Sequence, residues 1–583
     1  MIEKLLKNSI REYRKPAFLT SLFVVLEVIM DVIIPLVIGQ IINLVQKQAE
    51  LTEIYKLGAL LVGLSLLTFV FGYLNGRYAA FAASGFGKNL RNDMFNATQD
   101  YSFSNIDHFS TSSIVNRMTS DVTRVEMAYQ MSIRIAIRAP LMLLGALIMA
   151  FIINVKISLI FLAAIPLLAI GLLLITKFVR PLFIKVFKKL DNMNNVVQEN
   201  VRGIRTVKSY VREEHEIEKF TGSTTEIKDG FSKIEKILAL NTPMLLGFVY
   251  AITLLISWFG AKLIIEVGAG PGGMEIGDLT ALLNYSMQIL MSLNMLSMIF
   301  VITIISRASQ KRIVELLVEE QDLKNPEDPI YEVLNGDVEF VNVDFSYTSK
   351  PDACCLNNAN LKILSGETVG IIGGTGSSKS TLVQLIPRLY DATAGSVKVG
   401  GVDVKDYDVE TLRESVGMVL QKNVLFSGTI KENLLWGNPN ATDEEIIHAA
   451  KLAQADNFIQ SFPLKYETYL EQGGSNVSGG QKQRICIARA LLKKPQILIL
   501  DDSTSAVDTK TDSAIRTAMY EEIPHTTKII IAQRISSIQN ADKVIVMDEG
   551  GINAFDTPEN LLKNNEIYQD VYHSQLKGGG FNE

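Results

Sequence analysis

Apolar residues crowd into six long stretches of the N-terminal half, approximately 17–45, 57–83, 130–153, 156–179, 238–266 and 279–305, and the apolar excess ends near residue 306. A bilayer core about 30 Å thick takes about 20 helical residues. Each stretch is long enough to cross it. The third and fourth are joined only by Asn154-Val155-Lys156, which predicts a tight turn. Short loops, such as that from Gly268 to Gly273, join the first to the second and the fifth to the sixth. The segments 84–129 and 180–237 are polar, rich in Lys and Arg, and still helical in pattern. The bias of Lys and Arg toward the cytoplasmic side puts these segments and both chain ends in the cytoplasm. The pattern therefore predicts helices that continue past the bilayer before reversing. Met1–Lys15 reads as a short cytoplasmic elbow, since the apolar stretch after it is too long for a signal-peptide core.

Composition agrees with a membrane half and a soluble half. The chain has 583 residues, 48% of them hydrophobic, and a mean hydropathy of +0.21. Such a length accommodates several domains. A formal net charge of −6 gives no electrostatic footprint for nucleic acid. The three cysteines, Cys354, Cys355 and Cys486, all fall in the polar half with no zinc or disulfide spacing, which suits a reducing cytoplasm.

Charges inside the apolar stretches need an explanation. Glu27 and Asp31 lie four apart in the first stretch, hence on one helix face, and Arg134 and Arg138 repeat that spacing in the third. A charge at mid-membrane costs on the order of 3 kcal/mol. The acidic pair either lines a translocation path and favours cations, or pairs with another helix, or snorkels near a bilayer surface. Near a helix end, the arginines read as paired or snorkelling residues.

The polar half carries phosphate chemistry. Val369-Gly370-Ile371-Ile372 is a short apolar strand, and Gly373-Gly374-Thr375-Gly376-Ser377-Ser378-Lys379-Ser380-Thr381 precedes an apolar helix. Strand, loop and helix in this order are the context of a P-loop. Backbone N–H groups at the helix start hold phosphate, Lys379 adds a point charge, and Ser380 is the expected magnesium ligand. Ser378 stands where the motif has its second glycine, which narrows the backbone's freedom there.

Further motifs follow in order. Val477-Ser478-Gly479-Gly480-Gln481 precedes Ile497-Leu498-Ile499-Leu500-Asp501-Asp502 by about twenty residues, and Gln421 lies between P-loop and signature. Ser505-Ala506-Val507-Asp508 and Gln533 come after, and Tyr347 comes before. Together these resemble an ATP-binding cassette: an adenine-stacking Tyr347, a Q-loop Gln421, a signature loop from Ser478 to Gln481, an acidic strand end and a D-loop from Ser505 to Asp508. The resemblance implies ATP and magnesium as cofactors, with Ser380, Gln421 and Asp501 on the metal. Asn200–Lys208 and Ser306–Ile313 resemble the cytoplasmic helix extensions of exporters of the same family.

The fold this implies is an all-α six-helix transmembrane domain fused to an α/β P-loop cassette: residues 1–318, a linker at 319–335 and a cassette at 336–583. The function it implies is ATP-driven efflux of drugs or other amphipathic small molecules across the cell membrane. A lipid or glycolipid flippase has the same architecture, and a nucleotide-gated channel or sensor is the reading from another class. A peptide exporter with a leading peptidase is not expected, given the few residues before the first stretch. Two cytoplasmic segments, near Ser110–Val115 and Glu213–Phe220, are expected to form short helices docked on a cassette.

Two positions depart from the family pattern. Asp502 stands where glutamate is usual and Gln533 where histidine is usual. Cassettes of this family close head to tail, each ATP held between one P-loop and the other chain's signature loop. A chain with a weakened P-loop site and an intact signature loop is expected to need a non-identical half-transporter carrying the intact glutamate and histidine. This resembles the asymmetric drug exporters of bacteria.

Overall fold

The six apolar stretches lie on six helices, four of them much longer than the stretch, in the computed structural model, which describes residues 6–268, 273–347, 354–503 and 506–578. They are α1 (Arg14–Gln46), α2 (Leu51–Gln99), α3 (Val122–Ile153), α4 (Val155–Arg202), α5 (Asn241–Glu266) and α6 (Ile276–Val318). At 49 residues α2 is about 70 Å long, more than twice a bilayer core. Asn154 alone breaks the chain between α3 and α4. Its extended backbone stops one helix, and its Oδ1 accepts from the N–H groups of Lys156 and Ile157 to start the next.

These helices are not the buried core of a soluble protein. In α2 only 6% of the most apolar 18-residue stretch is buried, and Leu60, Val62, Leu66 and Phe69 point outward. So much apolar surface is tolerable only in lipid. The inner faces form one apolar cluster from five helices, including Val28 of α1, Ala146 of α3, Phe161 of α4, Ile256 of α5 and Leu282 of α6. Helices α1 and α6 approach so closely at Gly39 that a Cβ there would lie 2.6 Å from the Gly277 carbonyl.

The described residues divide into two units, one comprising the residues up to Gln99 with Ser110–Glu319, the other Asp100–Phe109 with the residues from Glu320 onward. The second unit is built on twelve strands: β1 (Val338–Phe345), β2 (Leu356–Ile363), β3 (Thr368–Gly373), β4 (Ala394–Val399), β5 (Val402–Asp403), β6 (Val416–Val419), β7 (Gly428–Thr429), β8 (Tyr469–Leu470), β9 (Ile497–Asp501), β10 (Thr527–Ile531), β11 (Lys543–Asp548) and β12 (Gly551–Asp556). Strands β2-β1-β4-β5 form an antiparallel sheet, and β12-β11-β3-β10-β9-β6 form the main sheet. In the main sheet β11, β3, β10, β9 and β6 run parallel, and β12 is an antiparallel edge. β9 and β10 are buried at every position, as expected of parallel strands covered on both faces. Parallel order brings the loops after β3, β6, β9 and β10 to one edge, where open α/β sheets bind ligands.

The docking helices differ from expectation. Thr111–Asn116 is a short helix, but it belongs to the first unit. The short helix packed in the cassette unit is Phe103–His108, capped where Ser102 and Asn105 bond each other's backbone N–H. Glu213–Phe220 is no separate short helix either. It opens a 26-residue helix, Glu213–Leu238, which returns along α4 through Glu216–Asn200 and Lys219–Glu199 contacts of 3.0 Å each. The linker is laid down rather than free: Ile330 bridges to Tyr407, and Gln496 Nε2 donates to the Val333 carbonyl at 2.7 Å.

Candidate functional site

The P-loop emerges from β3 and ends in α7 (Lys379–Gln384). Gly373 and Gly376 hold φ of 154° and 86°, where glycine is favoured. Ser378 caps α7 at φ 67°, ψ 25°, so it adopts the left-handed conformation of the glycine it replaces. For a residue with a Cβ that costs about 1–2 kcal/mol. The loop shape therefore persists, under strain. Gly374 and Thr375 form the turn between, and Ser377 Oγ closes it onto the Gly374 carbonyl at 2.9 Å. Lys379 Nζ donates to the carbonyls of Gly373 at 3.0 Å and Gly374 at 2.7 Å. Half-burial holds its ammonium below the usual lysine range, with Asp501 and Asp502 opposing that shift.

Asp501 ends β9, buried, and its Oδ1 accepts from Ser380 Oγ at 3.0 Å. These are two hard oxygens on adjacent elements, the donor type magnesium takes, and the pair fits that ion. Burial pushes the Asp501 carboxyl above its ordinary range, with Asp502 adding to this and Ser380 and Lys379 opposing it. Gln421 lies exposed just past β6, on the same sheet edge.

Asp502 follows at φ 48°, a conformation aspartate tolerates better than most residues. Its Oδ2 accepts from Gln533 Nε2 at 2.7 Å, across the gap between β9 and β10. Burial raises the Asp502 carboxyl, and the Gln533 bond pulls the other way. Gln533 is itself fixed from a distance. In the C-terminal helix Glu566–Gly578, Gln575 donates to the Gln533 carbonyl at 2.7 Å, and its Oε1 accepts from Ile535 N–H at 2.8 Å. Nothing in the sequence marks Gln575 for this role.

The signature loop opens α8 (Gly479–Leu492), ahead of α9 (Thr509–Glu522) and α10 (Glu566–Gly578). Ser478 Oγ accepts from Gln481 N–H, and Gln481 Oε1 accepts from Ser478 N–H, a closed capping box. Gly480 is needed for close approach: a Cβ there would meet the Ala506 carbonyl at 2.9 Å. Ala506 N–H donates to Gln483 Oε1 at 3.0 Å, Val507 is buried, and Asp508 caps α9 at Thr511 N–H. Ser505 lies outside the described residues. Tyr347 follows β1 at 46% exposure, its hydroxyl 3.1 Å from Thr381 Oγ1 in α7.

In the membrane unit the acidic pair is not a free anionic surface. Arg138 Nη1 donates to Glu27 Oε1, and its Nη2 donates to Asp31 Oδ2 at 2.8 Å. Asn75 Nδ2 donates to the other Glu27 oxygen. Glu27 is 5% exposed. The contacts form the interhelical pairing, one of the readings for this pair. One guanidinium thus serves both carboxylates.

Comparison with known proteins follows the same division. Residues 18–293 match the ABC transporter transmembrane region family, and residues 356–505 match the ABC transporter family. The chain is 37% identical over 567 residues to the uncharacterized ABC transporter ATP-binding protein YfiB of Bacillus subtilis (strain 168), covering 97% of each. It is 34% identical to YknU of the same organism, covering 98% of this chain and 97% of that one. A solved bacterial Atm1-family ABC exporter with ATP bound superposes with a TM-score of 0.84 over 96% of this chain and 99% of that one, at 23% identity.

Proposed function

We propose, because this chain belongs to the ABC transporter family as a half-size exporter with one transmembrane region and one ATP-binding domain, that it is the weak-site half of a heterodimeric pump for amphipathic small molecules. Its place would be the cell membrane, with the cassette and both chain ends in the cytoplasm. The partner would be a second, non-identical half-transporter with an intact catalytic glutamate and histidine.

The observation that carries this reading is the 2.7 Å bond from Gln533 to Asp502. Aspartate is one methylene shorter than glutamate, about 1.5 Å. A misplacement near 1 Å can cost about a hundredfold in rate. Gln533 can donate to a γ-phosphate, yet it cannot carry the proton or charge that an imidazole carries. Here its amide is also spent on the carboxylate, occupying one of the two oxygens that could take a proton from water. Both deficits and the strained Ser378 fall on the same site.

Other residues would keep that site a good binder. The loop from Gly373 to Ser377 offers N–H groups at the start of α7, where the helix dipole favours phosphate. Ser380 and Asp501 would hold magnesium, which would supply positive charge to offset that of the phosphates. Tyr347 offers a half-exposed ring for adenine. Ser478 and the Gly479 and Gly480 amides start α8 and would complete the partner's site. ATP binding, rather than hydrolysis at this site, would drive closure, and the partner's site would reset it. One guanidinium, Arg138, pairs with both Glu27 and Asp31 and offsets only part of their charge, so the substrate class is amphipathic without a stated charge.

Purification gives the direct test. Expressed alone and reconstituted in vesicles, the chain should bind ATP but turn it over about a hundredfold more slowly than the complex with its co-purifying subunit. Brisk turnover and transport by the chain alone would refute the heterodimer. A second expectation concerns repair. Asp502→Glu should raise hydrolysis by this site only a few-fold, since Gln533 still lacks a transferable proton and position 502 keeps a left-handed backbone that suits aspartate better. Adding Gln533→His should raise it further; steady-state turnover with the partner's glutamate inactivated reads both.

A further inference from the structure

Tyr390 touches both the nucleotide face and the short helix Phe103–His108, and the function described so far uses it for nothing. On one side it joins a group of three perpendicular or tilted rings. Its centroid lies 5.2 Å from Tyr347 at 90° and 5.6 Å from Phe345 at 57°, and Phe345 and Tyr347 meet at 4.8 Å and 84°. On the other side its ring faces Phe103 at 6.0 Å, and its hydroxyl donates to Asp107 Oδ2 at 2.7 Å. Burial and the Asp107 carboxylate both push the Tyr390 phenol up, so it stays protonated and keeps its donor.

We propose that Tyr390 is a positioning residue that reports adenine stacking on Tyr347 to the helix Phe103–His108. This rests on Tyr347 being the adenine platform. The physical argument is one of packing. Rings in edge-to-face contact interlock, so a tilt of one displaces its neighbours in a densely packed interior. Tyr347 is also bonded to Thr381 in α7, which gives the same ring an input from the phosphate side. The output is selective. The first turn of the short helix is held elsewhere, by Asn105 Nδ2 on the Glu320 carbonyl at 3.0 Å and by Ser104 on Asp322. Tyr390 reaches its last turn through Asp107. A charge-assisted bond of that length is directional and transmits a shift of its donor.

Hydrogen exchange of the full-length complex in nanodiscs, with and without ATP and magnesium, tests this. Wild-type protein should show exchange across 103–108 slowed by ATP, by about fivefold or more. Tyr390→Phe keeps the ring and removes only the hydroxyl. It should abolish that ATP response while leaving exchange without ATP within about twofold of wild type. ATP affinity should stay within about threefold. Asp107→Ala should reproduce the loss from the other end of the bond. An ATP response that survives in both variants overturns the relay. So does faster exchange of 103–108 without ATP, which would make Tyr390 a brace, and so does a large loss of ATP affinity, which would place it in the nucleotide pocket. Tyr347→Leu separates the underlying reading: unchanged ATP affinity in that variant removes the adenine platform, whereas weakened affinity with an intact response in Tyr390→Phe removes only the relay.

Discussion

Replacing the partner's catalytic glutamate by glutamine should lower ATP turnover of the complex by about a hundredfold or more, whereas Asp502→Asn in this chain should change it by less than about twofold. The asymmetry follows from what each carboxylate has to lose. A glutamate that reaches the attacking water loses its whole contribution when it becomes an amide. Asp502 is short, and its Oδ2 already accepts a bond from Gln533, so little hydrolytic capacity remains to be removed. The measurement is steady-state phosphate release by matched complexes, with nucleotide binding checked at each site. Equal losses from the two substitutions would show that this chain's site hydrolyses as well as its partner's. Near-normal turnover after the partner's substitution would reverse the assignment altogether. Substitution of Ser478 belongs with the partner's site: it should depress turnover far more than Asp502→Asn, because the signature loop of this chain would close over the competent pocket.

The parts of this molecule that sequence alone made legible are those set by local pattern. Six runs of about twenty-five apolar residues could only be membrane helices. The P-loop, the Asp501 strand end and the signature helix each carry their geometry within nine or ten residues. Positions set by distant contacts were not legible. The short helix of the cassette unit was expected near Ser110. It lies at Phe103–His108, because what selects it is the reach of Phe103 and Asp107 to Tyr390, 283 residues from Asp107. Its capping pair, Ser102 and Asn105, was readable in principle, since serine followed three residues on by a side chain that can bond back is a helix-start signal. Glu213–Phe220 was misplaced for the opposite reason. Acidic residues at its start do mark a helix N-terminus, but the helix runs on to Leu238 because its contacts with α4 stabilise it along its length. The brace from Gln575 onto the Gln533 loop left no trace in sequence.

Arg138→Met should be the most damaging single change in the membrane unit, lowering stability by about 3–5 kcal/mol, whereas Glu27→Gln should cost little. The triad holds two carboxylates against one guanidinium, with Arg138 forked between Glu27 and Asp31 on α1 and Asn75 of α2 on the second Glu27 oxygen. Arginine's planar fork suits this double pairing. Removing it strands two charges, one of them 5% exposed, inside a membrane-spanning helix, where each unpaired charge costs about 3 kcal/mol. Removing Glu27 instead leaves Arg138 and Asp31 as a one-to-one pair and takes away the surplus negative charge. Arg138→Lys should fall between, since one ammonium replaces a fork. Thermal midpoints and the yield of monodisperse protein in mild detergent report the order. The decisive comparison is a rescue. If the stranded carboxylates are the cause, Glu27→Gln with Asp31→Asn should restore most of the stability lost in Arg138→Met. No rescue would mean that the arginine stem, reaching from α3 to the acids of α1, matters more than its charge. An undisturbed Arg138→Met protein would mean that water or lipid already compensates the acids, and that Glu27 and Asp31 are again open to a substrate.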